Sequence, residues 1–358
     1  SLKDFQKSSV NYIFNKLYNE SKRRFLVADE VGLGKTLIAK GVVARAISHL
    51  WDKKESNGAP LRIDIIYICS NSAIASQNIN KITIPGVTGH ISPTRITMLP
   101  LQVQDFDSRL NFIALTPGTS FNLTGGTGLK SERAVILYIA KEIWGFNHSK
   151  TMIDLFRDSA RHDNFAREFE YIKSRKLNQT IINNFAAELK TGYPQAEADF
   201  KKLVALVRKY RTRKSLPDAV HNKRREFIIT LRRYLAKAAV RALEPDLIIL
   251  DEFQRFKDLL GDPREGALEI QQREVRELFN NLLEFGDAKV LLLSATPYKM
   301  YTLHEEAEYD HYSDFLDTTR FLLHDDEKLD SFKQLLGSYR ETFLSGDQIG
   351  RASCRERV

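Results

Sequence analysis

The stretch that decides the fold of this 358-residue chain reads Phe25-Leu26-Val27-Ala28-Asp29-Glu30-Val31-Gly32-Leu33-Gly34-Lys35-Thr36. A short apolar run predicts a buried strand, the glycines predict a tight loop, and Gly-Lys-Thr predicts the start of a helix. In such a loop the backbone N–H groups of Gly32, Leu33 and Gly34 turn towards phosphates. The Lys35 ammonium then reaches the β and γ oxygens, and the Thr36 hydroxyl binds Mg²⁺. The stretch therefore predicts an ATP site with Mg²⁺.

A second stretch supplies acids to the same site: Pro245-Asp246-Leu247-Ile248-Ile249-Leu250-Asp251-Glu252-Phe253-Gln254. Its near-continuous apolar run is typical of a parallel strand that is buried on both faces. At the end of such a strand Asp251 can hold Mg²⁺, and Glu252 can orient and deprotonate the attacking water. Lys35, Asp251 and Glu252 are thus the candidate catalytic residues. By itself, the pair of acids is equally compatible with a strand end that carries two solvated carboxylates.

A third stretch, Val290-Leu291-Leu292-Leu293-Ser294-Ala295-Thr296-Pro297, is another buried-type strand that ends in Ser-Ala-Thr. The three motifs and their order resemble the first RecA-like lobe of superfamily 2 helicases and translocases. Asp29 stands where a generic phosphate loop has glycine, and Asp-Glu-x-Gly-x-Gly-Lys-Thr resembles the bacterial Snf2-like branch. The resemblance spans roughly residues 1–300. It makes Ser294, Ala295 and Thr296 the residues that couple ATP to nucleic acid, with Gln254, a departure from the commoner histidine, bridging to them.

The resemblance implies an ATP hydrolase that moves along nucleic acid, with double-stranded DNA favoured as the track. It also implies that Gln6 recognises adenine, because an amide offers both a donor and an acceptor. A second RecA-like lobe, in cis, would supply arginines and close over ATP, so residues 1–347 alone are expected to be nearly inactive. Two alternatives remain open at this point: a P-loop switch or scaffold that does not translocate, and an RNA helicase.

The hydrophobic pattern predicts an α/β fold, a P-loop RecA-like lobe whose mainly parallel sheet is flanked by helices. Strands are expected at 24–28, 62–69, 94–99, 110–115, 246–251 and 288–294. Helices are expected at 4–18 and 312–345, and an all-helical insertion is expected between 130 and 244. The predicted division is a first part of the lobe at 1–130, a basic helical insertion at 131–244, the remainder of the lobe with exit helices at 245–347, and a tail at 348–358.

Polar segments follow two of these strands at the positions of motifs Ia and Ib in the resembling proteins, which contact nucleic-acid phosphates. The candidates after the first strand are Ser70, Asn71, Ser72 and Gln77. Those after the second are Thr116, Thr119 and Ser120. The alternative is ordinary capping of helix starts by serine, threonine and asparagine.

Positive charge is concentrated in the predicted insertion. Residues 201–241 contain 14 lysines and arginines but two acids, whereas the formal charge of the whole chain is +8. The dense parts of the cluster are residues 208–214 and the run Lys223-Arg224-Arg225. Basic residues at helical spacing can bind a phosphate backbone without base specificity. A solvated helix face, or a surface that docks on an acidic part of a longer chain, is the alternative.

Composition places the chain among ordinary globular proteins, with 42% hydrophobic and 28% charged residues. No apolar run has the length of a membrane span. Cys69 and Cys354 have no disulfide or metal-site spacing, which favours a reducing bacterial cytoplasm. The first residue is Ser1, so an incomplete amino terminus is expected. The last ten residues match the translation of a common sequencing adapter, which predicts a native sequence that stops near Asp347.

Overall fold

The computed structural model describes residues 2–28, 34–82, 90–91, 94–103, 109–123, 126–147, 149–210, 216–260, 270–294, 308–323 and 325–344. The chain divides into two compact units, Ser1–Ala295 and Thr296–Val358. Among the helices that are described, none is both long and apolar enough to cross a membrane.

The first unit is an α/β fold. Its strands are β1 (Arg24–Ala28), β2 (Ile63–Cys69), β3 (His90–Ile91), β4 (Leu110–Leu115), β5 (Leu247–Asp251) and β6 (Lys289–Ser294). Within the described residues they form one sheet in the order β1-β6-β5-β2-β4-β3, and every pair is parallel. The predicted parallel α/β architecture is confirmed.

Both faces of the sheet are covered, as the continuous apolar strands predicted. On one face, alternate strand residues such as Ile65, Ile249 and Leu291 pack with three helices. These helices are α1 (Asp4–Phe14), α2 (Lys35–Ser56) and α3 (Ser72–Ile82). A π-helical turn at Asn15–Asn19 continues α1, so the predicted helix at 4–18 is confirmed.

The predicted strand at 94–99 is wrong. Ile96–Met98 form a 3₁₀ turn that leads into the short helix α4 (Leu99–Gln102). Pro100 favours this outcome, because its fixed φ suits the first turn of a helix and it has no N–H for a sheet ladder. The run is apolar because it is buried under other helices, and the Thr97 hydroxyl donates a 2.6 Å hydrogen bond to the Glu132 carboxylate.

The helices predicted between 130 and 244 are present. After the short α5 (Pro117–Ser120) come α6 (Lys130–Trp144), α7 (Lys150–Phe156), α8 (His162–Lys173), α9 (Gln179–Gly192), α10 (Ala196–Lys209) and α11 (Asp218–Leu243). We call α6 to α11 the helical region. Its interior has its own aromatic cluster, in which the rings of Phe146 and Phe200 stack with centroids 4.6 Å apart. The helix α12 (Ile270–Leu283) lies between β5 and β6 in sequence and contacts α11.

The second unit contains α13 (Glu308–Leu323) and α14 (Asp326–Leu344) among its described residues. These two helices contact each other. The predicted helical segment at 312–345 is therefore two helices, which separate near Asp325.

Candidate functional site at the carboxyl edge of the sheet

The parallel sheet brings the ends of the three motif strands to one edge. In the register, Asp251 at the end of β5 lies opposite Leu293 of β6 and Cys69 of β2. Ser294, one residue further along β6, lies opposite Ala28 of β1, where the glycine loop begins. Two strand spacings of about 4.8 Å place Asp251 roughly 10 Å from the end of β1. The carboxyl edge of an open parallel sheet is where such folds bind ligands.

Gly34 ends the glycine loop in a conformation that requires glycine. It has φ of 90° and is the N-cap of α2, and its carbonyl accepts bonds from the N–H groups of Leu37 and Ile38 at 2.8 and 3.0 Å. A Cβ atom at this position would lie 2.5 Å from the side-chain nitrogen of Gln6. Lys35 and Thr36 are half-buried in the first turn of the helix that follows. Gly32 and Leu33 lie outside the described residues.

Gln6 therefore lies against the end of the glycine loop, although it is 28 positions away in sequence. It is only 5% exposed, and its side-chain oxygen accepts a 3.0 Å bond from the N–H of Lys3. A buried amide that is fixed by its own helix start is a rigid polar group beside the loop. The structure thus brings together two residues that the sequence assigned to the same ligand.

Asp251 is held by two side chains that the sequence analysis did not identify. The Tyr67 hydroxyl donates to Oδ2 of Asp251, and the Asn78 amide donates to the same oxygen at 3.1 Å. Asp251 lies opposite Cys69 in the register, and Tyr67 is two residues before Cys69, so the side chains of Tyr67 and Asp251 are on the same face of the sheet. Asn78 reaches them from α3. Burial, and secondarily the Asp251 carboxylate, raises the pKa of Tyr67, so its hydroxyl keeps the proton that it donates. No described residue donates a hydrogen bond to Oδ1.

Glu252 follows in a strained backbone conformation. Its φ is 51°, in the left-handed region that glutamate rarely adopts. The Glu252 N–H donates a 3.1 Å bond to the Leu293 carbonyl, which fixes this turn to β6. The Nε of Arg255 lies 3.1 Å from Oε2 of Glu252, in an ion pair without the alignment of a hydrogen bond. Strain of this kind clusters at functional sites.

The Ser294-Ala295-Thr296 segment is described only at its first residue. Ser294 is 1% exposed, and its hydroxyl has no hydrogen-bond partner in the described part of the chain. The hydroxyl of Ser70, just beyond β2, is likewise buried and unpaired. Ala295, Thr296 and the side chain of Gln254 lie outside the described residues.

The segment after β2 shows the capping geometry that was the alternative for it. The Asn71 side chain accepts bonds from the N–H groups of Ala73 and Ile74, at 2.8 and 3.3 Å, and so caps α3. Ser72 and Gln77 are exposed on this helix.

After β4, the Ser120 hydroxyl accepts a 3.0 Å bond from the N–H of Thr116, and the Thr119 hydroxyl donates to the Thr116 carbonyl at 3.3 Å. Thr116 and Ser120 are buried, whereas Thr119 is exposed.

The run Lys223-Arg224-Arg225 does not form a continuous basic surface, and Arg224 is a correction to the sequence analysis. Arg224 is 4% exposed and donates a 2.7 Å hydrogen bond to Asp158, so it cannot meet a phosphate backbone. Arg225 is half-buried and lies 3.9 Å from the same carboxylate. Lys223 is exposed.

Other charges of the basic stretch are also paired within the fold. The acidic partners come from distant parts of the chain, because helix packing brings them together. The pairs are Arg232 with Glu132, Arg233 with Glu274, Lys237 with Glu277, and Arg241 with Glu188. Much of the local excess of positive charge is therefore balanced inside the helical region and at its contact with α12.

The described residues fit a magnesium nucleotide. A glycine of positive φ precedes a long helix, and the positive dipole end of that helix favours phosphate. Oδ1 of Asp251 accepts no hydrogen bond from a described residue, and Mg²⁺ in nucleotide sites takes one or two protein oxygens beside water and phosphate. Comparison of the chain with protein-family models, curated proteins and solved structures found no match.

Proposed function

We propose that this chain carries the nucleotide-binding lobe of an ATP-dependent nucleic-acid translocase or helicase, with double-stranded DNA as the favoured track. The observation that carries the proposal is the meeting, at one sheet edge, of the Gly34-Lys35-Thr36 helix start, Gln6, and the Asp251-Glu252 pair. These residues come from α1, the start of α2 and β5, and the parallel sheet brings them together.

Each residue has a distinct role in this proposal. Lys35 and the first turn of α2 bind the phosphates, Gln6 recognises the base, and Thr36 and Asp251 hold the metal. Bound Mg²⁺ would neutralise charge on the phosphates. Glu252 orients a water molecule and accepts its proton, and Ser294 begins the segment that couples the nucleotide to nucleic acid.

Binding of magnesium nucleotide to this chain tests the proposal. Lys35→Ala removes a charge-assisted contact, so we expect the affinity for a fluorescent ATP analogue to fall about 10- to 100-fold. Lys53→Ala is the matched control, because Lys53 is an exposed lysine in the last turn of the same helix. Unchanged affinity in Lys35→Ala would refute the assignment of the phosphate loop.

Glu252→Gln separates binding from hydrolysis. The amide has the shape of the carboxylate but accepts no proton, so this variant should bind nucleotide as the parent does and hydrolyse none. Turnover is to be measured in a protein that also carries the second lobe, since arginine fingers from another lobe contribute on the order of 10³–10⁵ in rate where they operate. Stimulation of that turnover by nucleic acid distinguishes a translocase from a P-loop switch, and a comparison of DNA with RNA identifies the track.

The proposal places the protein in the bacterial cytoplasm. Cys69 is buried at the end of β2, and burial raises the pKa of its thiol, which is the behaviour of a small core residue. Nucleic acid and ATP are both available in that compartment.

A further inference from the structure

A groove lies next to Arg255, the residue that pairs with the carboxylate that we assign as the general base. It is an open groove of about 510 Å³ between the turn after β4, the 3₁₀ segment Phe253–Leu259 that follows Glu252, and α12. Its apolar wall includes Phe121 and Phe256, which both pack edge-to-face on Phe279 of α12. The groove is therefore built on the packed interior and is a fixed feature of the described fold.

The polar lining of the groove suits an anion. Arg255 and Arg276 line it together with the amides of Asn122 and Gln272, and its described lining contains neither aspartate nor glutamate. Gly118 is exposed at its edge, and no atom lies within 4 Å of where a Cβ would stand, so the backbone can be approached closely there. Two guanidinium groups and side-chain amides are the chemistry that binds the phosphates of a nucleic-acid strand.

Arg255 belongs to both the groove and the catalytic edge. Its Nε faces Oε2 of Glu252 at 3.1 Å, while its side chain is 62% exposed and lines the groove. A guanidinium has five N–H donors, so one face can meet the carboxylate while the other meets an anion. One guanidinium group stabilises each of two neighbouring anions less strongly than it stabilises a single anion.

We propose that the groove binds a phosphodiester strand and that Arg255 is a positioning residue shared between this strand and Glu252. A strand in the groove draws the guanidinium away from the carboxylate and leaves Glu252 free to accept a proton from water. With the groove empty, the ion pair holds the base. This inference deepens the proposed function, since it names the residue through which nucleic acid would reach the ATP site.

The coupling has to be reciprocal, which makes it measurable without hydrolysis. If the strand loosens Arg255 from Glu252, then removal of the Glu252 charge must tighten strand binding. A double-mutant cycle isolates this term. We use this chain, a short fluorescein-labelled oligothymidylate and a duplex of equal length, with affinity read from fluorescence anisotropy.

Glu252→Gln should tighten binding of the strand about two- to five-fold, the range of a partly exposed ion pair. In an Arg255→Gln background the same change should leave affinity unaltered. Glu277→Gln is the control for general electrostatics, because Glu277 is an acid of α12 that pairs with Lys237. Arg276→Gln should weaken binding in every background, which assigns the strand to the groove.

Two results would overturn the inference. Equal tightening by Glu252→Gln with and without Arg255 would show that the arginine is not shared. Unchanged affinity in both Arg255→Gln and Arg276→Gln would show that the strand binds elsewhere. Neither result depends on ATP, so they are distinct from a failure of the Lys35→Ala test, which concerns the proposed function alone.

Discussion

The helical region and the carboxyl edge of the sheet hold their acids in different ways. In the helical region Glu132 and Arg232 are almost fully buried, and each is bonded to the other and to further groups. At the sheet edge Glu252 sits on a strained backbone, and its ion pair with Arg255 is partly exposed. The first arrangement builds a scaffold, whereas the second leaves a charged pair that a ligand can reach.

This difference shows why charge counted along a sequence is a poor guide to binding. The basic stretch looked like the site of nucleic-acid contact, but the fold supplies acids to much of it. The groove beside Glu252 has two arginines that are separated by 21 positions in sequence, and no pattern in the sequence marked them as a pair.

The buried pair Glu132–Arg232 should dominate the stability of the helical region. Arg232→Met leaves the Glu132 carboxylate buried without its main partner, and we expect the free energy of unfolding to fall by about 3–5 kcal/mol. The double variant Glu132→Gln/Arg232→Met should lose less than the sum of its single changes. Urea denaturation followed by circular dichroism measures both.

Lys237→Met on the same helix is the control for that comparison. Its pair with Glu277 is about two-fifths exposed, so its loss should cost less than about 1 kcal/mol. Equal losses in Arg232→Met and Lys237→Met would show that the buried network is no more important than a surface pair.

Asp158 should make the helical region sensitive to acid. Burial opposes ionisation, but the Thr127 hydroxyl and the guanidinium groups of Arg224 and Arg133 outweigh it and lower the pKa of Asp158. Because the pKa of Asp158 is lower in the folded chain than in the unfolded chain, ionisation of Asp158 stabilises the fold at pH values above the unfolded pKa of about 3.9. This stabilisation is lost as pH falls through the folded pKa. Asp158→Asn should therefore be less stable at pH 7 by about 1.5–3 kcal/mol.

That difference should shrink as pH falls below about 3.9, where the unfolded chain binds a proton that the folded carboxylate does not, and it should vanish once pH is below the lowered folded pKa. Asparagine tolerates the positive φ of 50° at this position, so the substitution changes charge more than backbone. Urea midpoints over a series of pH values measure the trend, and a constant difference between neutral and acid pH would contradict it.

Tyr67→Phe should weaken the metal site with little effect on the fold. It removes the hydroxyl that orients Asp251, and loss of such a supporting group lowers metal affinity by about 10-fold. Titration of Mn²⁺ by electron paramagnetic resonance in the presence of nucleotide measures this, and nucleotide binding without metal should stay the same. Tyr18→Phe is the control, since the buried Tyr18 hydroxyl has no hydrogen-bond partner among described residues. Equal Mn²⁺ affinity in both variants would remove Tyr67 from the site.

Lys223→Gln should have the smallest effect. If this exposed lysine meets a phosphate, the slope of log K against log salt falls by at most about 0.9, with similar loss for all DNA sequences. A larger change in the slope than that caused by Arg276→Gln would restore the helical region as the main contact surface.

The sequence predicted most strands because parallel strands buried on both faces are continuous apolar runs that end in polar residues. β1, β2, β4, β5 and β6 are confirmed in this way. The run at 94–99 had the same composition and became a turn, because burial under helices selects apolar residues as strongly as burial in a sheet does. The two-residue strand β3 has too few residues to show any period.

The candidate site likewise contains residues that the sequence predicted and residues that it did not predict. Lys35, Thr36, Asp251 and Glu252 were predicted because each follows a strand or opens a helix, so local sequence carries their position. The sequence did not predict roles for Tyr67, Asn78 and Arg255. No local pattern distinguishes a functional tyrosine in an apolar strand, amide within a helix or further arginine from an ordinary one. Tyr67 gains its role when neighbouring strands fall into register, Asn78 when α3 packs against the sheet, and Arg255 when the groove forms beside the turn after β5.

The sequence by itself therefore determined the parallel α/β architecture, the helical region and which residues stand at the ends of strands, because hydrophobic period and glycine positions act over a few residues. The tertiary structure alone decided which charges are paired and which remain available. Arg224 became part of the interior and Arg255 a link between a groove and Glu252, although both are arginines beside other polar residues. The partner of Arg224 and the groove that Arg255 lines are formed by contacts between distant segments, and those contacts exist only after the elements of the fold have packed together.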